Sequence, residues 1–148
     1  MTPALAVATL CGAGRLRPAP GTWGSLVVLP AVLLGPWACL ALAALAMVAG
    51  WIAVRAVLAA VPEDDPGWIV VDEAAGMLIA LAALPGAGWL GVALAFLAFR
   101  ALDILKPWPV SWADGLPGAT GVMLDDMLAG AIAAAALLVL GALAPGVL

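Results

Sequence analysis

The chain of 148 residues is 67% hydrophobic and only 9% charged, and its mean hydropathy is +1.24. Soluble domains average about 45–50% apolar and about 25% charged residues, so this composition excludes an ordinary soluble domain and predicts a protein of the bilayer. The 9 acids and 5 cations give a net charge of −4, which leaves no basic stripe to bind nucleic acid. The length predicts a single membrane-embedded domain over residues 1–148.

The sequence contains no histidine and two cysteines, Cys11 and Cys39. Metal sites and catalytic triads that need histidine are therefore excluded, and acid–base chemistry falls to Asp, Glu, Lys or metal-bound water. Both cysteines are predicted to be packed, reduced thiols, because they stand in apolar surroundings without metal-site spacing. Cys11 and Arg17 have the Cys-x5-Arg spacing of cysteine phosphatases, but no base or acid nearby would activate the thiol.

The N-terminal quarter predicts a short apolar segment, a loop and a first helix. Residues 4–10 are too few to span a bilayer, and without a basic region before them we expect no cleaved signal peptide. Residues 11–24, rich in Gly, Arg and Pro, predict a structured loop. Thr22 or Ser25 could then cap a helix over residues 26–34.

Four longer apolar segments predict the remaining helices of an all-α integral membrane bundle, with about four to five apolar helices after a short N-terminal segment. The first of the four, residues 37–60, is the clearest span, because a span needs about 20 apolar residues and its one charge, Arg55, lies near an end. The two middle segments are shorter, so they would thin the bilayer locally or be partly embedded. The four predicted helices cover residues 37–60, 69–84, 89–105 and 122–143.

The charges fall at one end of this bundle. When the predicted helices run up and down, all 14 formal charges (5 + 9) lie on one side, and the turns at residues 35–36 and 85–88 on the other side carry none. The positive-inside rule places the charged end, and therefore the active site, at the cytoplasmic face.

Acidic residues from four elements meet at that end. Carboxylates crowded at the edge of a low-dielectric slab repel one another, and a divalent cation removes the conflict. Oxygen ligands without His or Cys favour Mg²⁺ or Mn²⁺ over zinc. Ion pairs with Arg55, Arg100 and Lys106 are the alternative, but nine acids outnumber five cations. The converging acids are Asp65, Asp72, Glu73, Asp103, Asp125 and Asp126, whereas Glu63, Asp64 and Asp114 are expected to be solvated loop residues.

Two segments offer partners for a phosphate group. Charged residues at the end of an apolar helix are costly unless they bind something, and Arg100 and Lys106 can donate to phosphate oxygens that a metal leaves free. Glycines before a helix N-terminus expose backbone N–H groups, and the helix dipole favours an anion there. The residues of this second segment are Gly21, Thr22, Gly24 and Ser25.

Four motifs occur in a fixed order over about residues 11–135. They are Pro20-Gly21-Thr22-x-Gly24-Ser25-Leu26, Ile69-Val70-x-Asp72-Glu73-x-x-Gly76-Met77, Phe99-Arg100-x-x-Asp103-x-x-Lys106-Pro107-Trp108-Pro109 and Gly121-Val122-Met123-x-Asp125-Asp126-x-x-Ala129-Gly130. Together they resemble the phosphatidylglycerophosphatase A family. The resemblance implies a Mg²⁺-dependent phosphatase of the bacterial inner membrane that converts the phospholipid phosphatidylglycerophosphate to phosphatidylglycerol and phosphate.

The family's polar motif residues fall on the site residues already named. As a hypothesis, most metal ligands are Asp72, Glu73, Asp125 and Asp126, with Asp65 beside them. The catalytic residues would be Asp103, which binds metal or orients water, and Arg100 and Lys106, which neutralise the phosphate. The Asp-x-Asp-x-Thr pattern of aspartyl-phosphate enzymes is absent, so direct attack by water is favoured. The loop of residues 114–119 lacks basic residues found in some relatives.

Two other function classes are compatible with the same acids. A small metal or ion transporter could use the carboxylates, but transporter sites lie near the bilayer midplane on broken helices, whereas these acids lie at one end. A membrane scaffold without catalysis would leave the surplus of acids unexplained. The oligomeric state stays open.

Overall fold

The computed structural model describes residues 1–63 and 65–148, and within these ranges the chain forms helices and turns without any strand. The prediction of an all-α fold is confirmed. Asp64, expected to be a solvated loop residue, lies outside the described residues. The α-helices are α1 (Pro3–Ala8), α2 (Pro20–Val27), α3 (Pro36–Leu58), α4 (Val71–Leu81), α5 (Trp89–Leu105), α6 (Val110–Asp114) and α7 (Gly118–Leu143), with 3₁₀ helix at Leu10–Arg15 and Leu29–Leu34.

Helices α3 and α7 are each long and apolar enough to cross a membrane, with mean hydropathies of 2.2 and 2.1. Only 28% of the apolar window of each helix is buried inside the protein. The core helix of a soluble protein would be mostly buried, so these exposed apolar faces indicate a membrane protein. Helix α4 has 11 residues and α5 has 17, so both fall short of a straight span of about 20 residues.

The N-terminal part differs from the prediction. Helix α2 begins at Pro20, where proline is favoured because its fixed φ suits the first helical position. Thr22 and Ser25 therefore lie inside the helix, and the prediction that one of them caps it is wrong. The buried Ser25 hydroxyl instead donates to the carbonyl oxygen of Gly21 at 2.9 Å. Helix α1 lies in the short apolar segment, for which only a length too short to span was predicted, and α6 occupies a segment predicted to be a polar loop.

Helix α4 is the centre of the fold. All of its residues except Glu73 and Ile79 are buried, and it packs against α2, α3, α5 and α7. The fully buried side chains of Met77 and Leu81 join a core with Phe99 of α5. The first turn of α4, which carries two acids, is therefore enclosed by its neighbours on several sides.

Two glycines let α4 and α7 approach very closely. A Cβ on Gly130 would collide with the carbonyl oxygen of Gly76, and a Cβ on Gly76 would meet the backbone of Asp126 and the ring of Phe99. Small residues at such crossings allow backbones to touch. Asp72 and Asp126 each stand four residues before one of these glycines, which is about one helical turn. The glycine contact therefore brings the two acids to the same level.

Candidate metal and phosphate site

Three carboxylates from α4 and α7 form the centre of the site. The ligand oxygens of Asp72, Glu73 and Asp126 all lie within 4.8 Å of one another. Asp72 and Asp126 are 7% and 3% exposed. We call these three residues the acidic triad.

Each triad carboxylate has a buried oxygen without a hydrogen-bond donor among the described residues. These atoms are Oδ1 of Asp72, Oε2 of Glu73 and Oδ1 of Asp126. A buried acceptor without a partner is costly, and most such groups in native proteins are satisfied. A divalent cation held by the triad would relieve this cost, since hard cations prefer carboxylate oxygens. Oδ1 of Asp125 is also buried without a donor among the described residues, but the other oxygen of that carboxylate accepts from Lys106. The donor set therefore fits Mg²⁺ or Mn²⁺ on its chemistry.

The protein environment disfavours charge on the two triad residues of α4. Burial raises the pKa of Asp72 well above its ordinary value, and repulsion from Glu73 raises it further. Burial also raises the pKa of Glu73, to about 7. A bound cation favours the ionised carboxylates, so metal binding at this site would be coupled to proton release.

Gly21 of α2 lies directly against the triad. A Cβ at this position would collide with Oε1 of Glu73 and would lie 3.2 Å from Nη1 of Arg100. Gly24, one turn later, packs on Val70, where a Cβ would lie 2.9 Å from the carbonyl oxygen. Both glycines thus let the first turns of α2 rest on the start of α4.

Arg100 and Asp103 form an ion pair across one turn of α5, beside the triad. Nη1 of Arg100 donates to Oδ2 of Asp103, and the two side chains are 15% and 13% exposed. Both residues act on the charge of Glu73, since Asp103 raises its pKa and Arg100 lowers it. The Nε of Arg100 is buried without an acceptor in the part of the chain that the structure describes. Arg100 therefore retains donor capacity beside the triad.

Lys106 forms a separate link next to the triad. Its Nζ donates to Asp114 of α6 and, at 2.6 Å, to Oδ2 of Asp125 in α7. Desolvation opposes the charged lysine, but the bonds to Asp114 and Asp125 outweigh it and raise the pKa of Lys106. We call these three residues the lysine link. Asp65 is exposed and, with Asp114, lines a cavity of about 460 Å³ near this link.

The predicted site residues thus separate into groups. The structure brings together Asp72, Glu73 and Asp126, with Arg100, Asp103 and Gly21 around them. Asp125 and Lys106 are joined to each other, Asp65 lies outside the triad, and the hydroxyl of Ser25 is used within α2. Sequence reasoning missed the contact of Asp114 with Lys106. The two prolines between these residues are a weak signal that the chain turns back and brings them together.

The motif order and this geometry agree with the comparison to known families. The sequence model of phosphatidylglycerophosphatase A matches residues 6–141. The chain belongs to the phosphatidylglycerophosphatase A family. The family prediction is confirmed, and with it the prediction of a phosphatase that acts on a phosphate monoester.

Individual relatives support this assignment. Phosphatidylglycerophosphatase A of Haemophilus influenzae is 41% identical over 124 residues, which cover 80% of this chain and 76% of the relative. The protein of the same name from Escherichia coli is 39% identical over 135 residues, covering 88% and 78%. A Bacteroides thetaiotaomicron protein, provisionally named phosphatidylinositol-3-phosphatase, is 38% identical over 138 residues, covering 84% of each chain. No solved structure matches this chain.

Proposed function

We propose that this protein hydrolyses phosphatidylglycerophosphate to phosphatidylglycerol and inorganic phosphate, with Mg²⁺ or Mn²⁺, at the cytoplasmic face of the bacterial inner membrane. The observation that carries the proposal is the acidic triad, whose buried oxygens lack donors among the described residues and lie beside Arg100. Two relatives named phosphatidylglycerophosphatase A support the substrate.

The position of the triad suits a phosphate at a membrane surface. Asp72 and Glu73 stand in the first turn of α4, and Asp126 lies eight residues after the start of α7, a helix that is apolar enough to span. A phosphomonoester on a glycerol headgroup lies at the interface while its acyl chains stay in lipid. An acidic site at the end of the apolar helices can therefore reach the phosphate without extracting the lipid.

The triad residues would hold the metal in this proposal. When bound, the metal would polarise a phosphoryl oxygen and lower the pKa of a coordinated water. The motifs also suggested Asp65 and Asp125 as ligands. In this proposal they add negative charge around the site but do not bind the metal directly. We assign the metal to the triad because its ligand oxygens lie within 4.8 Å of one another.

Arg100 is the residue we assign to the phosphate. Its guanidinium has five N–H donors in a fixed plane, and the ion pair with Asp103 uses only one of them. The remaining donors can neutralise phosphoryl oxygens as negative charge builds up in the transition state. A Cβ on Gly21 would lie 3.2 Å from Nη1 of Arg100, so the first turn of α2 is near the guanidinium. The backbone N–H groups of that turn can assist in binding the phosphate.

Asp103 is the residue we assign to the attacking water. Its carboxylate lies near Glu73, and Arg100 fixes its orientation. From there it can accept a hydrogen bond from the water and take its proton as the oxygen–phosphorus bond forms. The bond between phosphorus and the headgroup oxygen breaks, and that oxygen takes up the proton that Asp103 accepted from the water, so the products are the lipid alcohol and inorganic phosphate.

The proposal is tested by phosphate release from detergent-solubilised phosphatidylglycerophosphate by the purified protein. We expect activity that needs Mg²⁺ and that EDTA abolishes, and a loss of about 100-fold or more in Asp72→Asn, since metal stabilisation contributes several kcal/mol. Glu63→Gln, a change at an exposed acid outside the site, is the matched control. No release by the wild-type protein would refute the proposal.

The Bacteroides relative makes phosphatidylinositol 3-phosphate a specific competing substrate. Both lipids carry a phosphomonoester on a headgroup that a phosphodiester joins to the glycerol backbone. The two are therefore compared in the same assay, and we expect a higher kcat/KM for phosphatidylglycerophosphate. A clear preference for the inositol lipid would support the phosphatase activity but make phosphatidylinositol 3-phosphate the substrate.

A further inference from the structure

Lys106 stands where α5 ends and connects two acids of other helices. Its Nζ binds Asp114 of α6 and Asp125 of α7, so two of its three N–H donors are used by protein carboxylates. Asp114, expected to be a solvated loop residue, is therefore a partner of this lysine. Only one N–H donor of Lys106 therefore remains for a phosphate.

The backbone at Lys106 supports a role for its side chain at this particular place. The residue has a φ of 45° and a ψ of 54°, in the left-handed region, and its N–H donates to the carbonyl of Leu102 at 2.9 Å. Glycine is the usual residue at such a helix end, because other L-residues enter this region with strain. A lysine at this position can reach α6 and α7 with its side chain, but its backbone is more strained than that of a glycine.

The lysine link is close to the acidic triad along the chain. Asp125 precedes the triad residue Asp126 and is only 5% exposed. Lys106 follows Asp103 by three residues. A buried carboxylate without a countercharge is strongly unfavourable, so Lys106 both neutralises Asp125 and ties the end of α5 to the part of α7 that carries Asp126.

We propose that Lys106 and Asp114 are positioning residues for the phosphatase. Asp114 holds the lysine, and the lysine holds Asp125 so that Asp126 faces Asp72 and Glu73. The inference rests on the proposed function, and it replaces the phosphate-binding role that the motif suggested for Lys106.

The test is a double-mutant cycle of phosphate release with Asp114→Asn, Lys106→Met and the double variant. Asp114→Asn lowers kcat about 10-fold with little change in KM, the size typical of residues that support a metal ligand, and Lys106→Met lowers kcat about 100-fold. The double variant is no slower than Lys106→Met, because Asp114 acts only through the lysine. Lys106→Arg, which keeps the charge, restores most of the lost kcat.

A lysine that binds phosphate directly makes the opposite prediction. Removing Asp114 would then free Lys106 for the substrate, so Asp114→Asn would leave kcat unchanged or raise it. That result, or losses that multiply in the double variant, would overturn the inference. If Lys106→Met does not fold, Lys106→Ala replaces it, and a full 10-fold loss in Asp114→Asn on that background also overturns the inference. A wild-type protein without activity would instead refute the proposed function, so the two failures are distinguishable.

Discussion

Asp125 and Asp126 are neighbours in sequence and nearly equally buried, yet they belong to two different electrostatic environments. Asp125 is bonded to Lys106, whereas Asp126 faces Asp72 and Glu73. Successive residues of a helix point about 100° apart, so one turn of α7 can serve two sites. Burial alone therefore does not mark a metal ligand; whether a carboxylate forms an ion pair with a protein cation is the more informative property.

The ion pairs formed by the cations explain why Asp125 and Asp126 lie in different electrostatic environments. In the described ranges, the ion pairs of Arg100 and Lys106 involve Asp103, Asp114 and Asp125, and none involves a triad residue. Among the described residues, the protein thus supplies ion-pair partners to the acids around the triad and leaves the triad oxygens for a ligand.

The largest effect is expected from Glu73→Gln. The substitution keeps the size of the side chain but removes one negative charge from the triad, so the metal is held less tightly. We expect kcat to fall about 100-fold or more, the equivalent of several kcal/mol of lost stabilisation. Phosphate release at saturating Mg²⁺ measures it, and activity close to that of the wild type would exclude Glu73 from the metal site.

An intermediate effect is expected from Gly130→Ala, which places a methyl group against the backbone of Gly76. The two helices must separate, and we expect the free energy of unfolding to fall by about 1–3 kcal/mol, as in other overpacked sites. Activity falls as well, because the separation moves Asp126 away from Asp72. Thermal unfolding in detergent and phosphate release measure the two effects.

Gly141→Ala is the matched control in the same helix. A Cβ there would meet only a side-chain methyl of Leu148, at 3.2 Å. Alanine favours a helix over glycine by about 1 kcal/mol, so this variant should be at least as stable as the wild type. An equal loss in both variants would show that the close contact with α4 is not the cause.

The smallest effect is expected from Arg55→Gln. Arg55 lies outside both the triad and the lysine link, and its guanidinium stacks on the ring of Trp51 at 5.5 Å. Such contacts contribute about 0.5–1 kcal/mol at exposed sites, so the loss of stability should be small and the activity unchanged. A large loss of activity would mean that a third cation serves the site.

Much of the fold was accessible from the sequence, because apolar runs and prolines determine where long helices begin and end. Helix α5 has the predicted limits, residues 89–105, since Gly88 and Pro107 flank it. Helix α2 was missed, because glycines that normally indicate a loop here serve close packing against α4. That packing depends on residues distant in sequence, which periodicity does not reveal.

The site was predictable in composition but not in its pairing. The surplus of acids and the motif order identified the residues around the triad. Which acid pairs with which cation depends on the left-handed turn at Lys106 and on the fold of α6, and neither has a sequence signal that distinguishes Asp125 from Asp126.

The most direct test of a metal site at the triad is a titration of Mn²⁺ with the purified protein, followed by electron paramagnetic resonance, in Asp126→Asn and Asp125→Asn. We predict that Asp126→Asn weakens Mn²⁺ binding by about 100-fold or more, since it removes the charge of a carboxylate that binds the metal directly. Asp125→Asn should weaken Mn²⁺ binding far less, by about 10-fold at most, because Asp125 is not a triad residue and affects the metal only through the position of Asp126. Equal losses in both variants, or a larger loss in Asp125→Asn, would contradict the assignment of the metal to the triad.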